Sequence, residues 1–297
     1  MGHGRAALHT MGRERVCSAM ERRIIVSGGD ELREFLPPGM APGRRIRLEG
    51  AGALCTSGGQ LYCACDWGDV IWRLDGERLV PTALFAGGPG ICQLCVSGGG
   101  GRLYALCADA DSLLMMDASS GAPLMVNRVG VNPCAMALDE TGAVLAVAGG
   151  ECGEAVLLSA HTLCVLRRLS MPGMVYAVAL RAGTVYALSL NEALGSTLTT
   201  VAPNGVRQTL NLSGMPGAVV PCGEEMLCAT HERLYAVSPG GERILHAREA
   251  AGRAGRVLQN GKTLLLCDKL GEAVFSLGLG TGRWRLVCER ARDMVSV

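Results

Sequence analysis

Aromatic residues are scarce: phenylalanine, tryptophan and tyrosine together make up 4% of the 297 residues. Any core must therefore be filled by aliphatic side chains, alanine and cysteine. Lysine is nearly absent, with Lys262 and Lys269 set against 26 arginines. An excess of one charge is missing too. The 28 basic and 27 acidic residues leave a net charge of +1, which argues against a nucleic-acid binder held by a broad basic surface. No stretch approaches the ~20 apolar residues of a membrane helix. No segment of useful length repeats its apolar residues at the helical period. Apolar residues nevertheless make up 49% of the chain, which excludes global disorder.

Fourteen cysteines would read as a disulfide framework in a small secreted domain. The first 22 residues carry Arg5, Arg13, Arg15 and Arg22 but no apolar run of signal-peptide length. They read as a disordered tail. Cys55, Cys63, Cys65, Cys107, Cys228 and Cys267 lie inside apolar runs, where a free thiol packs as a small hydrophobe. Reduced thiols in a cytoplasmic protein are expected. Cys92 and Cys95 have CxxC spacing, but no second pair completes a zinc site. No metal and no cofactor is expected.

The chain repeats. RIIVSGG, QLYCACD, RLYALCAD, VLAVAGG, VYALSLN, MLCATHE and TLLLCDK align on Ile25, Tyr62, Tyr104, Ala146, Tyr186, Leu227 and Leu264. The spacings are 37, 42, 42, 40, 41 and 37 residues, close to the ~40–45 of a four-stranded propeller blade. Each unit reads as an apolar strand, a Gly turn, the aligned strand, a polar loop, a third strand, another turn and a fourth strand. Asp139 to Gly142 and Asn260-Gly261 are hairpin chemistry of this kind. The first unit lacks its first strand, and Asp293 to Val297 is a lone apolar strand without a hairpin partner. Placed together they close a ring. The expectation is an all-β chain: one seven-bladed β-propeller of four-stranded antiparallel blades, closed by the C-terminal strand 293–297. The blades fall near 23–49 plus 293–297, 50–88, 89–130, 131–171, 172–215, 216–254 and 255–292.

The unit from Leu103 through Asp117 to Gly121, then Val129 to Gly142, resembles the YVTN repeat. The match is good over 91–190, fair over 53–88 and weak elsewhere. This resemblance implies a YVTN/lactonase-like propeller, a superfold that hosts enzymes, binders and scaffolds. The Asp-x-x-x-Gly of 117–121 also resembles the PQQ-binding repeat, a second choice.

In such a ring the loops between second and third strands gather on one face. They carry Asp30, Asp66, Asp69, Asp109, Asp111, Glu151, Glu154, Glu192, His231, Glu232, Asp268 and Glu272. Every blade contributes a carboxylate, either as a cation or basic-peptide dock or as caps of their own turns. Eleven arginines on fourth strands, from Arg44 to Arg285, read as charged edge protection. Arg253, Arg256, Arg290 and Arg292 fall on the last crossings, facing Asp268, Lys269 and Glu272, and form a candidate anion site. Catalysis is thinly marked. Only His231 reaches the loop face, beside Glu232, and with Glu151 and Arg256 it offers the weak candidates for general acid–base work. No nucleophile elbow, phosphate loop or dinucleotide fingerprint is present. The expected function is a monomeric, non-catalytic binding or scaffold propeller that takes a protein or small ligand on its acidic loop face, away from nucleic acid and membranes. The alternatives are a lactonase-like hydrolase of a sugar-derived ester and an anion or metabolite sensor.

Overall fold

The computed structural model describes residues 22–66, 68–238, 244–249, 254–268, 271–278, 281 and 283–297. Of the expected tail, residues 1–22, all but Arg22 lie outside them. Arg22 is anchored by its backbone: its amide donates to Asn260 Oδ1 at 2.7 Å, and Asn260 Nδ2 donates to its carbonyl at 2.9 Å.

The described residues form 28 strands in seven four-stranded antiparallel sheets and contain no helix. Blade 1 holds β1 (Ile24–Gly28), β2 (Glu31–Leu36) and β3 (Ala41–Arg47). Blade 2 runs through β4 (Ala51–Ser57), β5 (Gln60–Cys65), β6 (Val70–Asp75) and β7 (Val80–Ala86). Blade 3 is β8 (Ile91–Val96), β9 (Arg102–Cys107), β10 (Ser112–Asp117) and β11 (Pro123–Arg128). Blade 4 is β12 (Ala135–Leu138), β13 (Val144–Ala148), β14 (Glu154–Ser159) and β15 (Val165–Ser170). Blade 5 is β16 (Met174–Arg181), β17 (Thr184–Leu190), β18 (Ser196–Val201) and β19 (Arg207–Leu212). Blade 6 is β20 (Pro216–Cys222), β21 (Glu225–Thr230), β22 (Arg233–Val237) and β23 (Ile244–Glu249). Blade 7 is β24 (Ala254–Asn260), β25 (Thr263–Asp268), β26 (Ala273–Gly278) and β27 (Trp284–Glu289). The last strand, β28 (Asp293–Ser296), joins the first sheet beside β1, with Ile24 opposite Ser296 and Ser27 opposite Asp293. The ring is closed by the C-terminal strand, as the repeat implies.

Burial follows position in the blade. Second strands are covered on both faces by neighbouring blades, so β13 is apolar end to end, β9 is apolar after its leading Arg102, and both are buried almost throughout. Fourth strands form the rim, and β3 and β15 are mostly exposed. The core is accordingly seven wedges, one per blade interface. Ile25, Leu32, Leu54 and Leu61 fill the wedge between blades 1 and 2. Ile24, Val26, Leu265 and Met294 fill the one between blades 7 and 1. Thin aliphatic wedges explain how so few aromatics suffice.

Two tyrosines of the repeat bolt one blade to the next. Tyr62 donates its hydroxyl to Ala118 O at 3.0 Å, and Tyr104 repeats the bond to Ala160 O at 2.7 Å. Each reaches the turn between third and fourth strands of the following blade.

All thirteen cysteines among the described residues are free thiols. Burial pushes Cys228 up to about 12 and Cys95 up to about 11, so these are packing groups rather than nucleophiles. Cys92 donates to Pro133 O at 3.4 Å, across to the crossing before blade 4.

Candidate functional site

The antiparallel order within each blade brings the loops between second and third strands to one end of the ring, with the crossings between blades. This is the loop face. Its carboxylates fall into three groups.

The first group builds the loops. In blades 1, 3 and 7 the residue before the third strand accepts, through its carbonyl, the amide just past the fourth strand: Leu48 N to Asp30 O at 2.8 Å, Val129 N to Asp111 O at 3.0 Å and Ala291 N to Glu272 O at 2.9 Å. Asp111 and Glu272 adopt φ of 50° there, a left-handed conformation costly for most side chains. Asp30 Oδ1 also accepts Gly50 N at 3.1 Å, and Asp111 Oδ1 accepts Asn132 N at 2.8 Å. These carboxylates cap the crossings.

The second group is paired. Glu154 meets Arg168 at 3.0 Å. Arg292 meets Glu272 at 2.9 Å and Asp66 at 3.4 Å, so one guanidinium spans loops of blades 7 and 2. Asp268 is buried and accepts Gly271 N at 2.8 Å.

The third group stays open. Asp69, Asp109, Glu151, Glu192 and Glu232 are exposed, one on each of blades 2 to 6. Glu151 has one long contact, from Asn132 Nδ2 at 3.4 Å. His231 is half-buried beside Glu232, and its amide donates to Met215 O at 2.9 Å. Among the described residues no three His, Cys, Asp or Glu side chains group to hold a metal ion.

The arginine sector is arranged differently from the sequence expectation. Arg253 and Lys269 lie outside the described residues. Arg292 does face Glu272. Arg256, expected to face Asp268 and Glu272, instead turns towards the axis and binds Asp293 at 2.7 Å. Its Nη1 also donates to Leu54 O at 3.1 Å. The reason is position: Arg256 is the third residue of an innermost strand, one bulge past Ala254. Burial opposes its charge, but the Asp293 carboxylate outweighs burial and holds the guanidinium above its ordinary pKa.

Asp293 is the functional residue that sequence reasoning missed. It is 1% exposed. Its Oδ2 accepts Leu54 N at 2.8 Å and its Oδ1 accepts Met294 N at 2.9 Å. One carboxylate thus ties together β28, β4 and β24, the innermost strands of blades 1, 2 and 7. The signal was available: a carboxylate heads an otherwise apolar strand.

The rim also departs from a simple charged edge. Glu34 of β2 is 5% exposed and takes Arg44 Nη2 at 2.7 Å, Arg44 Nε at 2.9 Å and Arg23 Nη1 at 3.0 Å. The Arg44 guanidinium draws the Glu34 pKa down, burial opposes it, and the Arg44 amide and Arg23 help carry it to about 2. The same arginines donate to the carbonyl of Glu77 in blade 2. They are interblade clamps as much as edge protection.

The innermost strands surround a channel. Its cavity of 490 Å³ is walled by β12, β16, β20 and β24, with Gln93 of β8.

No protein-family model matches the chain, and no curated protein matches it in sequence. Solved structures do match. A chain of hydrazine synthase from Kuenenia stuttgartiensis is similar with a TM-score of 0.64 at 15% identity, over 77% of each chain. A functionally unknown protein from Desulfotomaculum acetoxidans DSM 771 is similar with a TM-score of 0.77 at 9% identity, over 93% of this chain and 98% of that one. At such identities the shared property is the fold: the chain is a seven-bladed β-propeller.

Proposed function

We propose that this propeller is a non-catalytic binding protein whose loop face docks a basic segment of a partner protein. The supporting observation is the arc of exposed carboxylates on five successive blades, Asp69, Asp109, Glu151, Glu192 and Glu232. Carboxylates that build or clamp the face are consumed by loop amides and arginines, and these five are left facing solvent. Carboxylates gathered at one end of a ring attract a cationic partner and steer its approach. The YVTN-type resemblance fits this reading, since that superfold serves binding as readily as chemistry. The lactonase-like alternative asks Glu151, His231 and Arg256 to serve one centre. They come from blades 4, 6 and 7, and Arg256 is engaged by Asp293.

The test is fluorescence anisotropy of a labelled polyarginine peptide against the full chain. Reversing Asp109, Glu151 and Glu192 to lysine should weaken binding by about tenfold or more at low salt and leave the melting temperature in place. Unchanged affinity would remove the arc from the function.

A further inference from the structure

The axial cavity holds an arginine with an uncommitted edge. Most polar side chains on its wall are already partnered. Gln93 accepts Met136 N at 2.7 Å and donates to Met136 O at 3.0 Å. Gln259 donates to Gly261 O at 3.3 Å and accepts the Cys222 thiol at 2.9 Å. The Cys134 thiol donates to Val175 O at 3.0 Å. The Tyr176 hydroxyl and the Nε and Nη2 of Arg256 are different. Both side chains line the cavity, and none of these three groups hydrogen-bonds another described residue. The Arg256 side chain is 25% exposed.

Register places the two at nearly one depth. The inner strands of blades 3, 5, 6 and 7 share a one-residue bulge near the loop face, after Ile91, Val175, Pro216 and Ala254. Tyr176 is the bulge residue of blade 5, and Arg256 follows the bulge residue of blade 7. Blades 6 and 7 place Gly217 and Gly255 at the bulge. Neither glycine puts a side chain in front of the guanidinium. The residues of blades 5 and 6 equivalent to Arg256 are Ala177 and Ala218.

We propose that this channel binds a small organic monocarboxylate, forked on the Nε–Nη2 edge of Arg256, with its apolar body against Met136, Ala177 and Ala218. Asp293 and the Leu54 carbonyl grip Nη1 from behind and fix the rotamer, so the open edge is pre-organised for a planar, two-oxygen acceptor. Tyr176 supplies a further donor at the same level. The cavity has room for about sixteen waters at ~30 Å³ each, ample for a ligand of ten or so heavy atoms. A monoanion fits better than a phosphate dianion. Arg256 is the only charged side chain on the described wall, and Asp293 already offsets part of its charge.

Isothermal titration of the full chain with benzoate, benzamide and inorganic phosphate decides it. Benzoate should saturate with a Kd of about 1 mM or tighter. Its uncharged isostere benzamide should bind at least about tenfold more weakly, and phosphate more weakly than benzoate. Arg256→Lys keeps a cation for Asp293 but loses the fork, and should weaken benzoate about tenfold or more. Tyr176→Phe should weaken it a few-fold. The proposal falls if benzoate gives no saturable heat, if benzamide matches it, or if phosphate binds more tightly. Benzoate binding that survives in a folded Arg256→Lys protein also overturns it. Should that variant fail to fold, the benzoate-to-benzamide ratio on the unaltered chain and the Tyr176→Phe variant still decide.

Discussion

The seam where the chain ends meet and the joints between interior blades are held together differently. Interior joints rely on aliphatic wedges and on hydrogen bonds to neutral acceptors, such as Tyr62 to the Ala118 carbonyl, Tyr104 to the Ala160 carbonyl and Arg73 to the Ser119 carbonyl. The seam has similar wedges, but charge is concentrated there. Asp293 joins three strands with Arg256, Arg292 spans Glu272 and Asp66, and Arg33 donates to the Glu289 and Arg290 carbonyls. Glu34 with Arg23 and Arg44 adds a clamp on the adjacent rim. Every inner strand, β28 included, is reached by a short crossing, but in interior blades a hairpin to the second strand also fixes its register. The four-residue β28 has no hairpin partner. Apolar adhesion is non-directional, and a slip of one residue would turn its apolar set outward. Directional charged contacts supply the missing register.

Truncation and point substitution put this contrast to the test. The largest effect is expected from deleting residues 293–297, which opens the ring and bares the β1 edge. The truncated chain should aggregate or lose its cooperative transition by calorimetry and gel filtration. If it melts like the full chain, closure contributes nothing to stability. Asp293→Asn should cost about 3–5 kcal/mol in urea unfolding, because it strips the carboxylate from a largely buried guanidinium. A loss no larger than that of an interior bond would make the seam no different from an interior joint.

Glu34→Gln should cost about 2–3 kcal/mol at neutral pH. Glu34 has a depressed pKa, so its contribution is fully present above its ordinary value of 4.5 and is lost as pH falls towards about 2. Stability measured across that window should fall less steeply in the glutamine variant. Parallel acid profiles would separate Glu34 from the clamp. Tyr104→Phe tests an interior joint and should cost about 1 kcal/mol, the worth of one neutral bond. Arg292→Ala removes an exposed clamp and should cost less than about 1 kcal/mol. A larger loss would make the surface of the seam as important as its buried node.

The fold was readable because its physics repeats. Seven alignments at similar spacing, Gly turns between them and an unpaired terminal strand already specify a closed ring. The loop-face acids were readable as positions, since topology alone brings those loops together. Their partners were not. Whether Asp111 caps Asn132 or faces solvent depends on loop geometry that residue types do not encode. Topology puts Arg256 on the loop face with Asp268, because crossings and second-to-third-strand loops share one end of the ring. A bulge in β24 and the arrival of β28 turn it instead to Asp293, 37 residues away. The Glu34 clamp was hidden for the same reason: a glutamate within a strand looks solvated until a neighbouring blade delivers carbonyls to its arginines. The tyrosines stand at the aligned position, but their hydroxyl bonds depend on which turn of the next blade brings its carbonyl within reach.

The clasp also sets a schedule. Strand β28 pairs with β1, yet Asp293 is synthesised 269 residues after Ile24. At a ribosomal pace of roughly 5–20 residues per second, β1 waits about 13–54 s for its neighbour. Through that interval the nascent ring is an open arc with one bare inner edge. Anything that occupies the edge early, whether a chaperone or a strand from another nascent chain, competes with the chain's own last segment.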